Sequence, residues 1–506
     1  MPMGEEWRPG LLEVYSKKGI IQIVSYDELH NRFYVQSVSG RSNKVDTIQI
    51  ARDIRLARVI GFHYASPETI YVLADDRERI LLLDENGMLK KTWVINQILP
   101  DGDSAYSLFA NNWTVPIIEK GNRLYIQKST QMYDLRTPAS RKLNLRYNTD
   151  VELDLISGKV LSPHSPVILP AAAQAGEDYL DNGARRIILP TGHAVRAYSY
   201  LDSVHEYDDE QKQVAAFATP SPYFHPNEPV AEGKTFDFAY QKDYLLSQSN
   251  FAGIFVDPYR RLYYRMLWHS TPALDPATGT RNSFLDLQWS VLIFDEQWRK
   301  RGEVVFPPRQ YDPRTIHVTK DGLLVGRQSG QGGDNPPPRE WELFRLAPSR
   351  ETVTALGGKP APPPGPAVSM TDRPPLPPPT RVFGAYLRAS FGRRIPAEPH
   401  TWLLAPSGAC TACKIETLLF AARQAGKAHV TLVTTPLALH RLEPATAAQL
   451  RAASNVLIDS TGRLDRLALE TVGTAILTTE NGAVRHVQPL TGDNAADVLR
   501  RVAPGH

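Results

Sequence analysis

The sequence predicts a multidomain protein in which a long all-β region precedes a smaller α/β domain. Residues 10–350 show short apolar strands separated by polar turns, with almost no helical periodicity. After a proline-rich segment at 360–380, the composition shifts towards alanine and leucine, and strands alternate with helices. A chain of 506 residues is also too long for one ordinary hydrophobic core, so two or more domains are expected.

The all-β region repeats a hairpin pattern, which is clearest between residues 69 and 95. Strands are predicted at 69–74, 79–84 and 89–95, and a turn at 85–87 joins the last two. A strand, an acidic or glycine turn and a return strand recur about six times, some 45 to 90 residues apart. The copies lie at Val38-Ser39-Gly40, Leu83-Asp84, Leu153-Asp154, Tyr207-Asp208, Phe294-Asp295 and Phe344-Arg345.

Four-stranded blades with loop insertions account for this spacing, and six of them fill the length of the region. A propeller also leaves only short, protected strand edges, which lets many strands coexist in one domain. We therefore predict a six-bladed β-propeller over residues 1–355. A jelly roll or a pair of sandwiches is the alternative architecture.

Two blocks of this region, 62–72 and 257–265, together resemble a family of uncharacterised bacterial six-bladed propeller proteins. The resemblance covers the first two thirds of the chain, implies the propeller fold and brings no known activity. In the second block, Tyr263, Tyr264 and Arg265 have two interpretations. Either they line the axial channel or a ligand mouth, or the tyrosines pack between blades while the arginine pairs with a carboxylate.

Composition and charge argue against several functions. The net charge of +3 gives no argument for nucleic-acid binding. No run of about 18 apolar residues exists that would cross a membrane. Residues 1–7 lack the basic start and the apolar stretch of a signal peptide. We therefore expect either a cytosolic protein or a sequence that lacks its export signal.

The β region contains no motif that points to a metal or a cofactor. The chain has 13 scattered histidines, and four of them have no close partner in sequence: His63, His193, His205 and His269. The glycine-rich stretch at 330–335 lacks the following helix that a phosphate-binding loop needs. We predict no metal site and no cofactor.

Residues 360–380 mark the boundary between the two domains. Ten of these 21 residues are proline, a composition that cannot pair into a sheet and favours an extended polyproline conformation. We expect a stiff spacer, with a ligand for a proline-binding domain as the alternative. The predicted organisation is a propeller at 1–355, a proline-rich linker and lead-in at 356–394, and an α/β domain at 395–506.

Both cysteines of the chain lie in one Cys-x-x-Cys motif, as Cys410 and Cys413. A strand is predicted just before the motif at 401–405, and a helix just after it at 414–424. Unpaired backbone N–H groups and the positive end of the helix dipole stabilise a thiolate at the first cysteine. The second cysteine, about one turn further on, can attack a mixed disulfide and release the product. The motif therefore predicts thiol–disulfide chemistry.

The other elements predicted in this domain are strands at 429–433 and 455–459, a helix at 445–453, a hairpin of 475–478 with 483–487, and a closing helix at 494–502. This order, with Cys-x-x-Cys after the first strand, resembles a thioredoxin fold spanning roughly 395–504. Within it, the run Cys410-x-x-Cys413-Lys414-x-Glu416 is similar to the membrane-anchored bacterial thiol–disulfide oxidoreductases of the TlpA/ResA type, which work outside the cytoplasmic membrane.

The resemblance implies that Cys410 is the attacking thiol, Cys413 the resolving thiol and Glu416 an acid/base group near the pair. Because Glu416 follows Cys413 by three residues on a helix, it lies on the same side and could relay its proton. The alternative is a solvent-facing carboxylate. The chain departs from the family within 473–475, where the family has a cis-proline, and at Thr417, where the family has a proline.

We expect an envelope thiol–disulfide oxidoreductase whose propeller holds a partner or substrate near the thiols. The alternative is a non-catalytic ligand- or protein-binding propeller protein with a degenerate thioredoxin-like domain. A third interpretation is carriage of a soft ion such as Cu(I) by the cysteine pair.

The expected partner is a protein thiol or disulfide, and neither nucleic acid nor association with further copies of the chain is expected. The expected location is the periplasm or cell envelope, with a membrane involved only through an N-terminal anchor absent from this sequence. The cytoplasm is the alternative location.

Overall fold

The computed structural model describes residues 12–17, 20–27, 31–37, 45–51, 54, 59–74, 79–94, 107–109, 115–130, 149–161, 184–231, 234, 238–275, 281–327, 340–345, 353–355, 378–406, 411–424, 429–440, 442, 444–461, 463–464, 467, 469, 474–490 and 494–502.

Six sheets follow one another along the first two thirds of the chain. The first contains β1 (Leu12–Lys17), β2 (Ile20–Asp27), β3 (Arg32–Ser37) and β4 (Val45–Gln49), and the second β5 (Val59–Ser66), β6 (Thr69–Ala74), β7 (Arg79–Leu83) and β8 (Leu89–Val94). The third contains β9 (Ser107–Phe109), β10 (Ile118–Lys120), β11 (Arg123–Thr130), β12 (Thr149–Asp154) and β13 (Val160–Leu161). The fourth contains β14 (Ala184–Ile188), β15 (Ala194–Tyr198), β16 (Ser203–Tyr207) and β17 (Gln213–Ala218).

The fifth sheet contains β18 (Asn250–Asp257), β19 (Leu262–Trp268), β20 (Trp289–Asp295) and β21 (Lys300–Phe306), and the sixth contains β22 (Tyr311–Thr319), β23 (Gly322–Arg327) and β24 (Trp341–Phe344). The short strand β25 (Val353–Ala355) pairs parallel to β21 at the outer edge of the fifth sheet. Most of the chain is therefore a six-bladed all-β propeller, as predicted from the hairpin spacing.

Apolar packing brings the first and the sixth sheets together and so closes the ring. Ile21 and Ile23 of β2 form a buried cluster with Leu324 of β23. The first strands of the sheets also lie side by side, because β1 contacts both β5 and β22, and β18 contacts both β14 and β22. The first strand of each blade therefore lies towards the centre of the ring.

Aspartates hold the turns between the third and fourth strands of four blades. The Oδ1 atom of each accepts hydrogen bonds from two main-chain N–H groups two to four residues further on, at 2.7–3.1 Å. These aspartates are Asp84, Asp154, Asp208 and Asp295. A short side chain that mimics a backbone turn is the physical reason for the acidic residue at these four predicted hairpins. The predicted copy at 38–40 lies outside the described residues, and Phe344 ends β24.

Neighbouring strands of a blade run in opposite directions, so successive connections leave from alternate faces of the ring. Connections from a second to a third strand, and from a fourth strand to the next blade, leave from one face, whereas the aspartate turns lie on the other. The long connections 219–249 and 269–288 both belong to the first kind. We call this side the long-loop face.

A helix in this region, α1 (Phe238–Ser247), was not predicted, because almost no helical periodicity is visible there. Long-range contacts stabilise it instead of an apolar stripe. The Tyr240 hydroxyl accepts a hydrogen bond from the Ala231 N–H at 3.0 Å, and the Tyr244 hydroxyl donates to the Glu228 carbonyl. The helix at 238–247 is therefore an exception to the predicted β pattern, since tertiary contacts override the weak local pattern.

The C-terminal part of the chain forms a mixed five-stranded sheet with helices. Its elements are α2 (Pro379–Phe391), β26 (His400–Ala405), α3 (Thr411–Arg423), β27 (Val430–Thr434), α4 (Pro436–His440), α5 (Pro444–Ala452), β28 (Val456–Ile458), β29 (Ala475–Glu480), β30 (Ala483–Pro489) and α6 (Ala495–Val502). The strand order is β28-β27-β26-β29-β30, with the first three strands parallel and β29 antiparallel to β26. The strands, helices and hairpin predicted for this part are confirmed.

Each face of this sheet has its own apolar core. Leu418 of α3 and Leu499 of α6 pack together on one face. Phe383 and Leu387 of α2 pack on the other face, against Trp402 of β26. Among the helices that the structure describes, none has the length and apolar content needed to cross a bilayer.

Candidate functional site

The Cys-x-x-Cys motif lies where the central strand of the C-terminal sheet is followed by a helix. β26 ends at Ala405 and α3 begins at Thr411, which makes Cys413 the third residue of the helix. Glu416 follows one turn later on the same helix. The helix predicted after the motif is confirmed, whereas Cys410 lies outside the described residues. The assigned roles of Cys410, Cys413 and Glu416 stay predictions.

The strand ends next to this helix converge on one edge of the sheet. Thr434, the last residue of β27, donates a hydrogen bond from Oγ1 to the Ala405 carbonyl at 3.0 Å. The Asp459 N–H donates to the Thr434 carbonyl at 2.7 Å, so the chain leaving β28 lies at the same edge. β29 starts there as well, because Ala475 pairs with Leu404. We call this the Cys edge.

A buried aspartate organises the loop 459–474, which begins and ends at the Cys edge. The Oδ1 atom of Asp459 accepts the Thr461 N–H at 2.8 Å, and Oδ2 accepts the Leu464 N–H at 2.6 Å. The Tyr386 hydroxyl of α2 also donates to Oδ2, at 3.1 Å. These three bonds fix the start of the loop against α2.

By the resemblance drawn from the sequence, the positions 473–475 at the end of this loop, Ala475 in particular, correspond to a cis-proline. Thr474 is buried, its carbonyl accepts the Leu490 N–H at 2.9 Å, and its Oγ1 has no hydrogen-bond partner among the described residues. Within the part of the chain that the structure describes, no peptide bond is cis. Thr417 is fully buried in α3.

In the propeller, Tyr263, Tyr264 and Arg265 pack inside the protein. Tyr263 stacks on Trp298 with ring centroids 4.5 Å apart. The Tyr264 hydroxyl donates to Oδ2 of Asp257 at 2.6 Å, and burial together with this bond raises the pKa of the tyrosine. The packing interpretation of the tyrosines is therefore the correct one.

Arg265 is fully buried between the fourth and fifth blades. Its Nη2 donates to the carbonyls of Tyr198 at 3.0 Å and Leu201 at 2.5 Å, and its Nη1 donates to Thr219. Burial lowers the pKa of Arg265 to about 9. Among the described residues, the hydrogen bonds of this guanidinium go to main-chain carbonyls and a hydroxyl rather than to the expected carboxylate, and they tie two blades together. The nearby Asp202 carboxylate acts on Arg265 only through its charge, which raises the pKa.

A polar cluster around His63, near the axis, joins the first three blades. His63 Nδ1 lies 3.2 Å from Glu13 Oε1, and its Nε2 lies 3.9 Å from Glu119 Oε2. The Tyr71 hydroxyl donates to Glu119 Oε1 at 3.3 Å. Burial lowers the pKa of His63, but the two carboxylates outweigh it and leave the pKa raised.

A second polar network lies at the start of the connection 269–288. The ring of His269 stacks on Tyr223 at 4.3 Å, and its Nε2 lies 3.1 Å from Ser290 Oγ. Ser290 and Ser221 both donate to Glu303 Oε1, at 2.6 and 2.7 Å. His269 Nδ1 also lies 3.3 Å from Gln288 Oε1, so both ring nitrogens have a polar partner. Burial lowers the pKa of His269 to about 4.

The histidines that have no partner in sequence have polar partners in the fold. His193 Nδ1 lies 2.7 Å from Glu206 Oε1, and His205 Nδ1 lies 3.3 Å from Gln213 Oε1. Sequence reasoning missed these pairs because antiparallel pairing brings them together at separations that follow no fixed spacing rule. No group of three His, Cys, Asp or Glu side chains among the described residues could hold a metal ion.

One buried contact connects the propeller with the C-terminal sheet. Arg281, in the connection 269–288, forms an ion pair with Asp243 of α1, and Nη1 lies 2.6 Å from Oδ2. Its Nη2 donates to the Leu469 carbonyl, in the loop at the Cys edge, at 3.1 Å.

Comparisons with known proteins bear on the propeller. No protein-family model matches the chain, and no curated protein matches it significantly. A solved structure of a DUF4221 family member from Bacteroides vulgatus matches with a TM-score of 0.53 and 15% identity, over 68% of this chain and 96% of that one. At this identity the match shows the fold alone, and it agrees with the six-bladed propeller.

Two further solved structures match with TM-scores too low to carry an argument. Hydrazine synthase from Kuenenia stuttgartiensis has a TM-score of 0.36 and 12% identity, over 65% of this chain and 76% of that one. Virginiamycin B lyase from Staphylococcus aureus has a TM-score of 0.31 and 10% identity, over 69% of this chain and 89% of that one.

Proposed function

We propose that this protein is a thiol–disulfide oxidoreductase in which residues 395–506 form a thioredoxin-like domain and the propeller binds the partner. The observation that carries the proposal is the position of the motif. Its second cysteine lies in the first turn of α3, directly after the central strand of a sheet in order β28-β27-β26-β29-β30. A helix that starts beside a buried strand end presents free N–H groups, which favour a thiolate.

The chemistry requires only the two cysteines and a proton acceptor. In the reducing direction, the Cys410 thiolate attacks one sulfur of a partner disulfide, which breaks the S–S bond, releases the other partner sulfur as a thiolate and forms a mixed disulfide. Cys413 gives its proton to Glu416 and attacks the Cys410 sulfur, which releases the second partner thiolate. Two electrons pass from the cysteine pair to the partner, and the released thiolate takes up the proton. The reverse sequence oxidises a partner dithiol.

A non-catalytic role is the second candidate function. In that case the propeller binds a ligand or protein, and the C-terminal domain is degenerate. The departure from a cis-proline at 473–475 favours this candidate, because the resembling enzymes use that residue opposite the disulfide.

We further propose a location in the bacterial envelope and a protein thiol or disulfide as the partner. The similarity of the motif to enzymes that work outside the cytoplasmic membrane supports both. Fractionation of cells that express the native gene tests the location, and recovery of the protein only in the cytosol would refute it.

Thiol labelling tests the proposed roles. At neutral pH, an alkylating agent should label Cys410 well before Cys413, because the first thiol precedes the helix and faces its positive end. Glu416→Gln should slow disulfide exchange by ~10²-fold or less, the low end for loss of a proton-transfer group. Glu398→Gln, an exposed carboxylate before β26, is the matched control and should change nothing.

Two outcomes would contradict the proposal. Equal labelling of both thiols would remove the assigned roles. If excess dithiol leaves an oxidised pair unreduced, and Cys410→Ser still binds every partner captured by the wild type, the non-catalytic candidate replaces the oxidoreductase.

A further inference from the structure

The inner edge of the third blade consists of two short strands rather than one longer strand. β9 and β10 have three residues each, and they pair with opposite ends of β11. Among the described strands, those at the inner edges of the other blades have five to nine residues; they are β1, β5, β14, β18 and β22. Because few main-chain hydrogen bonds hold a strand of three residues, side-chain contacts matter more for β10 than for these longer strands.

Glu119, in the middle of β10, contacts two side chains of the second blade. Its Oε1 accepts a hydrogen bond from the Tyr71 hydroxyl at 3.3 Å, and its Oε2 lies 3.9 Å from His63 Nε2. Burial and the nearby Glu119 raise the pKa of Tyr71, so this hydroxyl keeps its proton over the pH range in which a histidine titrates. The contact with His63 is longer than a hydrogen bond, and it is attractive only when Nε2 carries a proton.

Glu13 of β1 determines which nitrogen of a neutral His63 holds the proton. Its Oε1 lies 3.2 Å from Nδ1, and its Oε2 accepts the Tyr64 N–H at 2.6 Å. An ionised carboxylate only accepts hydrogen bonds, and this is the carboxylate within hydrogen-bond distance of the ring, so a neutral His63 keeps its proton on Nδ1. The link to the first blade therefore exists in both protonation states, whereas the link to Glu119 exists only in the protonated one.

We propose that His63 is a proton-operated latch that fastens the inner edge of the third blade to the second blade. With a proton on Nε2, the ring attracts Glu119 and holds β10 against β5. Without that proton, the lone pair of Nε2 faces a carboxylate, and β10 is held more loosely. Because the first strands lie towards the centre of the ring, the proton controls how firmly the axial side of the third blade is closed.

The groups around His63 fix the direction of the pH dependence. The titratable side chains that face the ring among the described residues are Glu13, Glu119 and Tyr71, whose ring stacks on it. Burial lowers the pKa of His63, but the two carboxylates outweigh it and leave the pKa raised. The latch is therefore closed below pH 6.5 and opens as the pH rises through the folded pKa.

Two substitutions test the latch from its two sides. His63→Gln removes the titrating ring. Glu119→Gln removes the charge that the ring attracts but keeps an acceptor for the Tyr71 hydroxyl, so it is the milder change if His63→Gln fails to fold. His193→Gln is the matched control, because His193 Nδ1 lies 2.7 Å from Glu206 Oε1 within the fourth blade, and its side chain is 35% exposed against 22% for His63.

Hydrogen–deuterium exchange over residues 118–125 of the full chain gives the readout. Each variant is compared with the wild type at the same pH, so that the intrinsic effect of pH on exchange cancels. At about pH 6, His63→Gln and Glu119→Gln should exchange about three- to fivefold faster than the wild type, the effect of losing a partly exposed ion pair. At about pH 9 both variants should match the wild type, because the latch is then open in all three proteins. His193→Gln should match the wild type in this segment at both pH values.

Titration of His63 by NMR adds a readout that a merely structural role would not move. The pKa of the ring should fall in Glu119→Gln, because one of the two carboxylates that raise it is gone. An unchanged pKa would overturn the latch. Faster exchange by the same factor at both pH values would overturn it as well, since it would show a loss of packing rather than of charge. The test concerns the propeller and is independent of the proposed thiol chemistry.

Discussion

Replacing His269 with glutamine should destabilise the protein at neutral pH and stabilise it in acid. The His269 ring is 5% exposed, and burial lowers its pKa from 6.5 to about 4. Below pH 6.5 the unfolded chain takes up a proton that the folded protein refuses, so stability is lost as the pH falls from 6.5 towards 4. At about pH 4.5 this loss amounts to roughly 2–3 kcal/mol, because each pH unit below the unfolded pKa corresponds to about 1.4 kcal/mol.

The glutamine variant loses the hydrogen bond to Ser290, which is worth about 1 kcal/mol at neutral pH. It carries no titrating ring, so it escapes the loss in acid. The wild type should therefore be the more stable protein near pH 7 by about 1 kcal/mol, and the less stable one near pH 4.5 by roughly 1–2 kcal/mol.

Urea unfolding followed by tryptophan fluorescence at both pH values measures the difference. His317→Gln offers an independent comparison for the acid arm, because burial alone lowers the pKa of His317 to about 3, and removing that ring should likewise relieve the loss of stability in acid. Parallel stability curves for the wild type and His269→Gln would refute the reasoning, since they would show that the ring is protonated equally in both states.

Three further predictions concern the propeller and the C-terminal hairpin. The pKa of His63 is raised, so the stability that the protonated ring contributes is complete below pH 6.5 and is lost as the pH rises through the folded pKa. Thermal unfolding should therefore show that His63→Gln destabilises the protein more in acid than in alkali. Gly322→Ala should lower the free energy of unfolding in urea by about 2 kcal/mol or more, because φ is +154° and a Cβ would lie 2.2 Å from the Phe344 carbonyl oxygen. Gly482→Ala is the control: φ is +71° and the space around a Cβ is open, so the loss should be only about 1 kcal/mol. Arg265→Met should cost roughly 2–4 kcal/mol by the same assay, because two main-chain carbonyls lose their donor, and an unchanged midpoint would contradict its role between the blades.

Local chemistry explains the part of the fold that the sequence predicts well. An aspartate that bonds nearby N–H groups turns the chain wherever it occurs, so hairpins such as the one at Asp84 are visible as short patterns. Gly87 adds a φ of +74° in the same turn, which glycine adopts without strain. The strand and helix after the proline-rich segment are predictable for the same reason, since alternation and helical spacing are local properties.

Contacts between distant parts of the chain explain what the sequence could not predict. His63 and Glu13 are 50 residues apart, and Arg281 and Leu469 are 188 residues apart. No spacing rule connects such pairs, because the order of blades in space brings them together. The environment of Arg265 shows the same limit, since a buried arginine can be satisfied by carbonyls as well as by a carboxylate.

The parallel strand β25 has a consequence for how tightly the propeller and the C-terminal domain associate. It returns the chain to the outer edge of the fifth blade, the blade whose connection carries Arg281. Only 23 residues separate Ala355 from Pro379, so the start of the C-terminal domain stays within about 80 Å of that blade even if the segment is fully extended. A tether of this length gives an effective concentration on the order of millimolar. An interface too weak to hold two separate proteins together would therefore be occupied most of the time in this one.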